Sequence, residues 1–189
     1  MELLPYWQIS QENRQRHRKN TQEAAFERLV AKAGIHKENA LIREALPSDF
    51  GLTDWVTKAE GNLNEFNGWI EKKLPNITLV AIYGMAVLSS DLHTNVIRFE
   101  REGTTLGLFA FGKLLLPFVA IEMAKEVHFE HKVDKDWFIS EGYFTEPFIY
   151  DPLERMGINL YRTSQGSDKI ILYGYVVEPR GMTVIGDYK

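Results

Sequence analysis

The hydrophobic period of this chain changes near residue 76, and that change constrains its fold more than any motif in it. Up to residue 75 the apolar residues recur three and four apart, the spacing of one buried helix face. From 76 to 178 short runs of Val, Ile, Phe, Tyr and Leu lie between turn residues, the pattern of strands. The chain therefore reads as a helical N-terminal region, 1–75, and a β body, 76–189, with a short polar tail.

Three helices are predicted in the first region. Ser10 is a suitable N-cap for a helix over 11–33, and Gly34 a suitable stop. Its first half is polar all round, and its second half carries Phe26, Leu29, Val30 and Ala33 on one face. A second helix is expected over 37–46, ended by Pro47. A third is expected over 54–74, with Trp55, Ala59, Leu63, Phe66 and Ile70 as its stripe despite Gly61 and Gly68.

About eight strands are predicted in the body. Ile77–Leu88 is almost entirely apolar, as in a strand buried on both faces. Asn95–Arg101 and Thr105–Phe111 read as a hairpin turning at Glu102-Gly103. Val127–Val133 alternates. Trp137–Ser140 and Tyr143–Tyr150 are aromatic strands, with Pro147 marking an edge or bulge. Ile158–Thr163 and Lys169–Glu178 read as a second hairpin around Gly166, with the last strand covered on both faces. Lys113–Lys125 fits either helix or strand. No stretch between strands holds a crossover helix, so an antiparallel, jelly-roll-like β-sandwich behind the three helices is the expected fold class.

The chain has 189 residues, 44% hydrophobic and 25% charged, enough to bury a full core in one domain. It has no cysteine, which removes disulfides, thiolate nucleophiles and Cys-based metal centres. Residues 1–7 lack the basic and apolar regions of a signal peptide, consistent with cytoplasmic synthesis. The longest weakly charged run, Gly103–Ile121, carries Lys113 centrally, which disfavours a membrane span by about 3 kcal/mol.

The net charge is −4, but residues 1–46 hold eight Lys/Arg against six Asp/Glu. Phosphate binding needs a concentrated positive surface, so nucleic acid is disfavoured for the body and left to the arm. There, Arg14, Arg16, Arg18 and Lys19 form a basic stretch flanked by Glu12 and Glu23. Ahead of it Leu3, Leu4, Tyr6 and Trp7 form an apolar tip that must dock on its own domain or on a neighbour. These eight residues are the candidate partner-binding set.

No nucleotide loop, dinucleotide fingerprint or nucleophile elbow is present. No catalytic residue, cofactor or metal is therefore predicted. His128, Glu130 and His131, with His93 upstream, are the densest group of possible ligands, but in a strand His128 and His131 face opposite ways. Glu141, Glu146, Asp151 and Glu154 lie among Trp137, Phe138, Tyr143, Phe144, Phe148 and Tyr150. Carboxylates beside rings suit a sugar-binding module or hydrolase, the alternative reading.

In layout, a mixed-charge helical arm before a Cys-free, aromatic-rich sandwich resembles virion structural proteins of the jelly-roll type. That resemblance spans most of the chain and implies a non-enzymatic subunit that joins copies of itself or other structural proteins.

Overall fold

The computed structural model describes residues 1–35, 37–58, 61–89, 92–111 and 138–180. The fold is mainly antiparallel β with one α-helix among the described residues. In chain order the elements are β1 (Leu3–Pro5), α1 (Gln11–Ala33), β2 (Ala40–Glu44), β3 (Phe66–Lys73), β4 (Leu79–Ser89), β5 (Thr94–Arg101), β6 (Thr104–Ala110), β7 (Phe138–Tyr150), β8 (Arg155–Arg162) and β9 (Lys169–Pro179). They form two open sheets. The first runs β1-β7-β4-β9-β2 and the second β3-β8-β5-β6.

The two sheets share one core. Val80, Ile82, Met85, Val87, Phe144, Phe148, Ile170, Leu172 and Val176 of the first meet Ile70, Ile97, Phe99, Phe109, Met156, Ile158 and Leu160 of the second. At its centre Phe99 stacks on Phe148 with ring centroids 4.5 Å apart. Phe109 and Phe144 pack around them at 4.9 Å from each other. Such offset and edge-on ring packing adds about 0.5–1.5 kcal/mol per pair beyond burial.

β4 and β9 are central strands of the first sheet, and Leu79–Val87 is buried throughout. Tyr83 has no partner in either neighbouring ladder. The bulge switches the side of β4 that faces the core, from Val80 and Ile82 to Met85 and Val87. Opposite it, β7 spends residues 144–147 between the partners of Ile82 and Gly84. Pro147, which cannot donate to a ladder, sits in that widened segment. The strands approach closely here: a Cβ on Gly174 would stand 2.6 Å from the Ala81 carbonyl oxygen, and one on Gly84 2.7 Å from that of Gly142.

Helix 11–33 forms as its caps predict, with Ser10 Oγ accepting from Asn13 N at 3.2 Å and Gly34 in the left-handed region at φ 62°. The other two expected helices do not form. Within 37–46, Ala40–Glu44 instead pairs with β9. A ten-residue helix is marginal by itself, whereas β9 offers a ready ladder. Asp49 then closes the Pro47–Phe50 turn by accepting from Leu46 N at 2.7 Å. Within 54–74 the turn residues prevail. Gly61 has φ 157° and Asn64 φ 61°, and the Asn67 carboxamide bonds back to Asn62 at both ends. Phe66–Lys73 emerges as an edge strand on β8. The stripe spacing of 54–74 was coincidental.

The hairpin 94–110 forms with Glu102-Gly103 at its turn. The expected hairpin around Gly166 does not. β8 pairs with β3 and β5, whereas β9 pairs with β4 and β2, so the chain changes sheet between them. Ile170 and Leu172 face the core and Tyr173 and Tyr175 the other side, so β9 is covered on both faces. The segments Lys113–Lys125 and Val127–Val133 and the tail from 181 lie outside the described residues.

Phe148→Ala is expected to destabilise by about 3–5 kcal/mol. Phe66→Ala should cost only about 1 kcal/mol, because Phe66 is half-exposed against Tyr161 and Arg98. Gly174→Ala should cost about 1–3 kcal/mol by forcing β4 and β9 apart. Urea melts of the three variants check the ranking.

Candidate functional site

The outer face of the first sheet is where the N-terminal residues converge. β1 extends the sheet beside β7, with Leu3 opposite Phe144 and Leu4 opposite Tyr143. Thr145 N donates to Glu2 O at 2.8 Å, and Glu2 N to Thr145 Oγ1 at 2.9 Å. Leu3 enters the shared core. The apolar tip thus docks on its own domain.

α1 lies across the same face in two chemically distinct halves. In the second half Ala25 and Leu29 are fully buried on Leu79, Ala81, Val177 and Ala40. In the first half Arg14, His17 and Arg18 meet tyrosines, and buried Thr21 donates to the His17 carbonyl at 2.9 Å. Arg14 stands 5.9 Å over the Tyr6 ring and Arg18 6.0 Å over Tyr83. Arg18 also donates to Tyr175 Oη at 3.3 Å and to Glu44 Oε1 at 2.9 Å. Tyr83 stacks on Tyr175 at 5.2 Å, with Tyr173 and Tyr143 beyond it.

Burial sets the titration of this cluster. It pushes Tyr173 up to about 12, and Tyr83 and Tyr143 further above their ordinary value. It also holds His17 below the usual histidine range, outweighing a hydrogen bond to the Tyr83 backbone. The tyrosines are therefore neutral hydrogen-bonding surfaces at physiological pH, and Arg14 and Arg18 supply the fixed charge.

The far end of α1 is latched by ions. Arg28 Nε and Nη2 grip Asp151 Oδ1 and Oδ2 at 2.5 and 2.8 Å, and Lys32 Nζ lies 3.7 Å from Oδ2. This bidentate contact with Arg28 holds the Asp151 carboxyl below its ordinary value. Glu154 accepts from Asp151 N at 2.8 Å and pairs with Arg101 at 3.1 Å.

Of the predicted partner residues, Leu4, Tyr6, Arg14 and Arg18 are brought together on this face, whereas Leu3 turns into the shared core. Arg16 and Lys19 point outward, the first bonded to Asn13 Oδ1 at 2.6 Å and the second 3.8 Å from Glu23. The basic stretch is thereby split between an inward and an outward side of α1. The side chain of Trp7 lies outside the described residues, as do His128, Glu130 and His131. Among the described residues no group of three His, Asp or Glu could hold a metal ion, and no helix is long and apolar enough to cross a membrane.

Among the described residues the carboxylates and rings around β7 do not share a groove; Trp137 and the side chain of Phe138 lie outside them. Phe144, Phe148 and Tyr150 are core, Glu141 accepts from the Tyr143 hydroxyl, and Asp151 and Glu154 are engaged by arginines. Glu146 is exposed. His93 Nδ1 lies 3.1 Å from Ser164 Oγ. Asp168 holds the main-chain N–H groups of His93 and Thr94 at 3.1 and 2.7 Å and not the imidazole. Among the described residues the pair thus lacks the acid that orients a triad histidine.

Two features escaped the sequence reading. One is the outer face of the second sheet. Strand register there aligns Phe66, Tyr161, Val96 and Ala110 in one row, and Asn159, Arg98 and Leu108 in the next. Leu108 is 55% exposed. Arg98 lies 4.1 Å over Phe66 and 2.7 Å from Glu100. The signal was alternation within strands, which shows which residues share a face but not which strands adjoin. The other is a cavity of about 370 Å³ beside Trp69 and Arg162.

No family model and no curated protein matches the chain. Among solved structures it is similar to an insecticidal delta-endotoxin, Cry8Ea1, from Bacillus thuringiensis, at 15% identity over 62% of this chain and 19% of that one, with a TM-score of 0.29. It is also similar to a β-porphyranase of glycoside hydrolase family 86 from the human gut bacterium Bacteroides plebeius, at 5% identity over 74% and 20%, with a TM-score of 0.29. The chain spans about a fifth of the length of either structure. Likenesses at this level carry no argument for its function.

Asp151→Asn should loosen the helix by about 1–3 kcal/mol at pH 7, since it removes one partner of a charged hydrogen bond. Because the folded carboxyl titrates below its unfolded value, the latch is fully present above the unfolded pKa of about 3.9. It is lost as pH falls through the folded value. Melts of wild type and Asp151→Asn should therefore converge on acidification. A constant gap down to the lowest pH would count against the latch.

Proposed function

We propose that this chain is a jelly-roll assembly subunit, similar in role to virion structural proteins, which joins further copies through the outer face of its second sheet. The strand order supports the jelly roll. Taking β2 to β9 as eight strands, the outermost pair is β2 with β9, then β3 with β8, β4 with β7, and β5 with β6. These are the pairings of one long antiparallel ribbon rolled into two four-stranded sheets. Every paired strand is antiparallel. β1 and α1 precede the ribbon and stay on their own sheet.

Jelly rolls also serve as lectins and cupins, so fold order does not choose the role. The observation that carries assembly is the row Phe66–Tyr161–Val96–Ala110 with exposed Leu108 beside it. The helix shields the first sheet, whereas this face presents rings and aliphatic groups with Arg98 and Glu100 among them. A mix of apolar centre and paired charges is the composition of a protein–protein interface. The sugar-binding alternative loses support because Phe144, Phe148 and Tyr150 face the core and Glu141, Asp151 and Glu154 are already bonded.

Size-exclusion chromatography with light scattering tests the proposal. The expected mass lies above the 21.8 kDa of one chain and rises with concentration, and Leu108→Glu lowers it without changing the circular dichroism. A monomer at every concentration, or an assembly indifferent to Leu108→Glu, would overturn it.

A further inference from the structure

The cavity beside the second sheet follows from two local irregularities. β3 skips a partner between Gly68 and Ile70, so Trp69 is a bulge residue whose ring turns toward the core. β8 points Met156, Ile158 and Leu160 inward, and its last inward position is Arg162, 5% exposed. An arginine thus ends an otherwise apolar row. The segment 51–58 closes over this corner, held by Thr57 N donating to Asp168 O at 2.8 Å and Ile170 N to Trp55 O at 2.9 Å. Between them lies the space of about 370 Å³, lined by Asp54, Lys58, Asn67, Trp69, Leu160 and Arg162 among others. That volume is within the range of small-ligand sites.

Two buried donors beside it lack acceptors. A guanidinium has five N–H donors and stays charged in proteins. Arg162 gives one, from Nη1, to the Lys58 carbonyl. Its Nε has no partner, and Nη2 bonds to no described residue. The Trp69 indole N–H is likewise buried without an acceptor.

Several of the neighbouring acceptors are already used. Both Asp168 oxygens take main-chain N–H groups of His93 and Thr94. Asp54 Oδ1 takes Val56 N at 2.9 Å. The Asn67 carboxamide is occupied at both ends by the 62–65 turn. Burial draws Arg162 below its ordinary value despite the charge of Asp168, the sign of a cation short of compensation. Buried donors without acceptors, and a buried cation without a close partner, are costly.

We infer that this cavity is an oxyanion site, in which a carboxylate or phosphoryl group of a small ligand accepts hydrogen bonds from Arg162 and the Trp69 indole. The planar guanidinium suits an oxyanion with two acceptor oxygens. Lys58 adds a second positive charge at the lining, so that two cations stand against the one carboxylate of Asp54, and the Trp69 ring offers an apolar wall to the body of the ligand. The site is independent of the assembly face, since it lies on the inward side of β3 and β8.

The test is a titration of the full chain with sodium phosphate, sodium sulfate and sodium acetate at ionic strength held constant with sodium chloride. Calorimetry and the indole N–H resonance of Trp69, assigned by its loss in Trp69→Phe, report binding. The expected result is saturable binding of at least one oxyanion at millimolar concentration, with the Trp69 resonance moving in step. Phosphate against acetate separates a phosphoryl from a carboxylate ligand.

Arg162→Met should abolish the binding. Trp69→Phe, which keeps the ring and removes the donor, should weaken it about tenfold or more, the worth of one hydrogen bond to a charged group. If Arg162→Met fails to fold, Trp69→Phe decides. No saturable binding of any of the three anions, or binding unchanged in the variants, overturns the assignment.

Discussion

Phe99 and Phe148 face each other across the two sheets at 4.5 Å, and the rest of the molecule is arranged around that contact. Each ring belongs to a different sheet, so their stack fixes the separation and relative register of the layers. Phe109 and Phe144 then close around the stack edge-on or tilted. The widened segment of β7 follows from the same requirement. Four residues between Tyr143 and Phe148, set against the single Tyr83 of β4, let both Phe144 and Phe148 reach the core.

The bulge that serves the core also shapes the outer face. Tyr83, released from both ladders, turns its ring out toward Tyr143, Tyr173 and Tyr175. A row of tyrosines cannot be covered by leucines alone without leaving hydroxyls unmet. The first half of α1 covers it instead with Arg14, His17 and Arg18, and only the second half uses apolar packing. The polarity of residues 11–22, which reads as a solvated helix in isolation, is therefore complementary to tyrosines more than sixty residues away. The two sheets then differ outside: one is shielded by a helix and the other presents Phe66, Tyr161 and Leu108.

Much of this was legible in the sequence, and the failures have identifiable causes. The β body, the hairpin 94–110, the helix with Ser10 and Gly34 at its ends, and the bulge at Pro147 each rest on local chemistry acting over a few residues. Strand Ala40–Glu44 was missed because a distant partner, β9, decided its state. Strand Phe66–Lys73 was missed because an accidental helical spacing outweighed Asn62, Asn64, Asn67 and two glycines in the reading, although not in the chain. β8 and β9 were joined as a hairpin because they are adjacent in sequence. Inward and outward alternation says nothing of which sheet a strand enters. Arg162 and Trp69 lie far apart in sequence, and neither carries a motif, so their shared cavity has no sequence signature. The same is true of Arg28 and Asp151.

If the N-terminal segment completes the sandwich instead of hanging from it, the body cannot stand without it. Thermal unfolding of a chain lacking residues 1–34, compared with the full chain, measures this most directly. Removing Leu3, Ala25 and Leu29 uncovers Leu79, Ala81, Val177 and the tyrosine face. The truncated chain should lose its cooperative transition or aggregate. A truncated chain that stays soluble and melts at the temperature of the full one would contradict the intramolecular role assigned to β1 and α1.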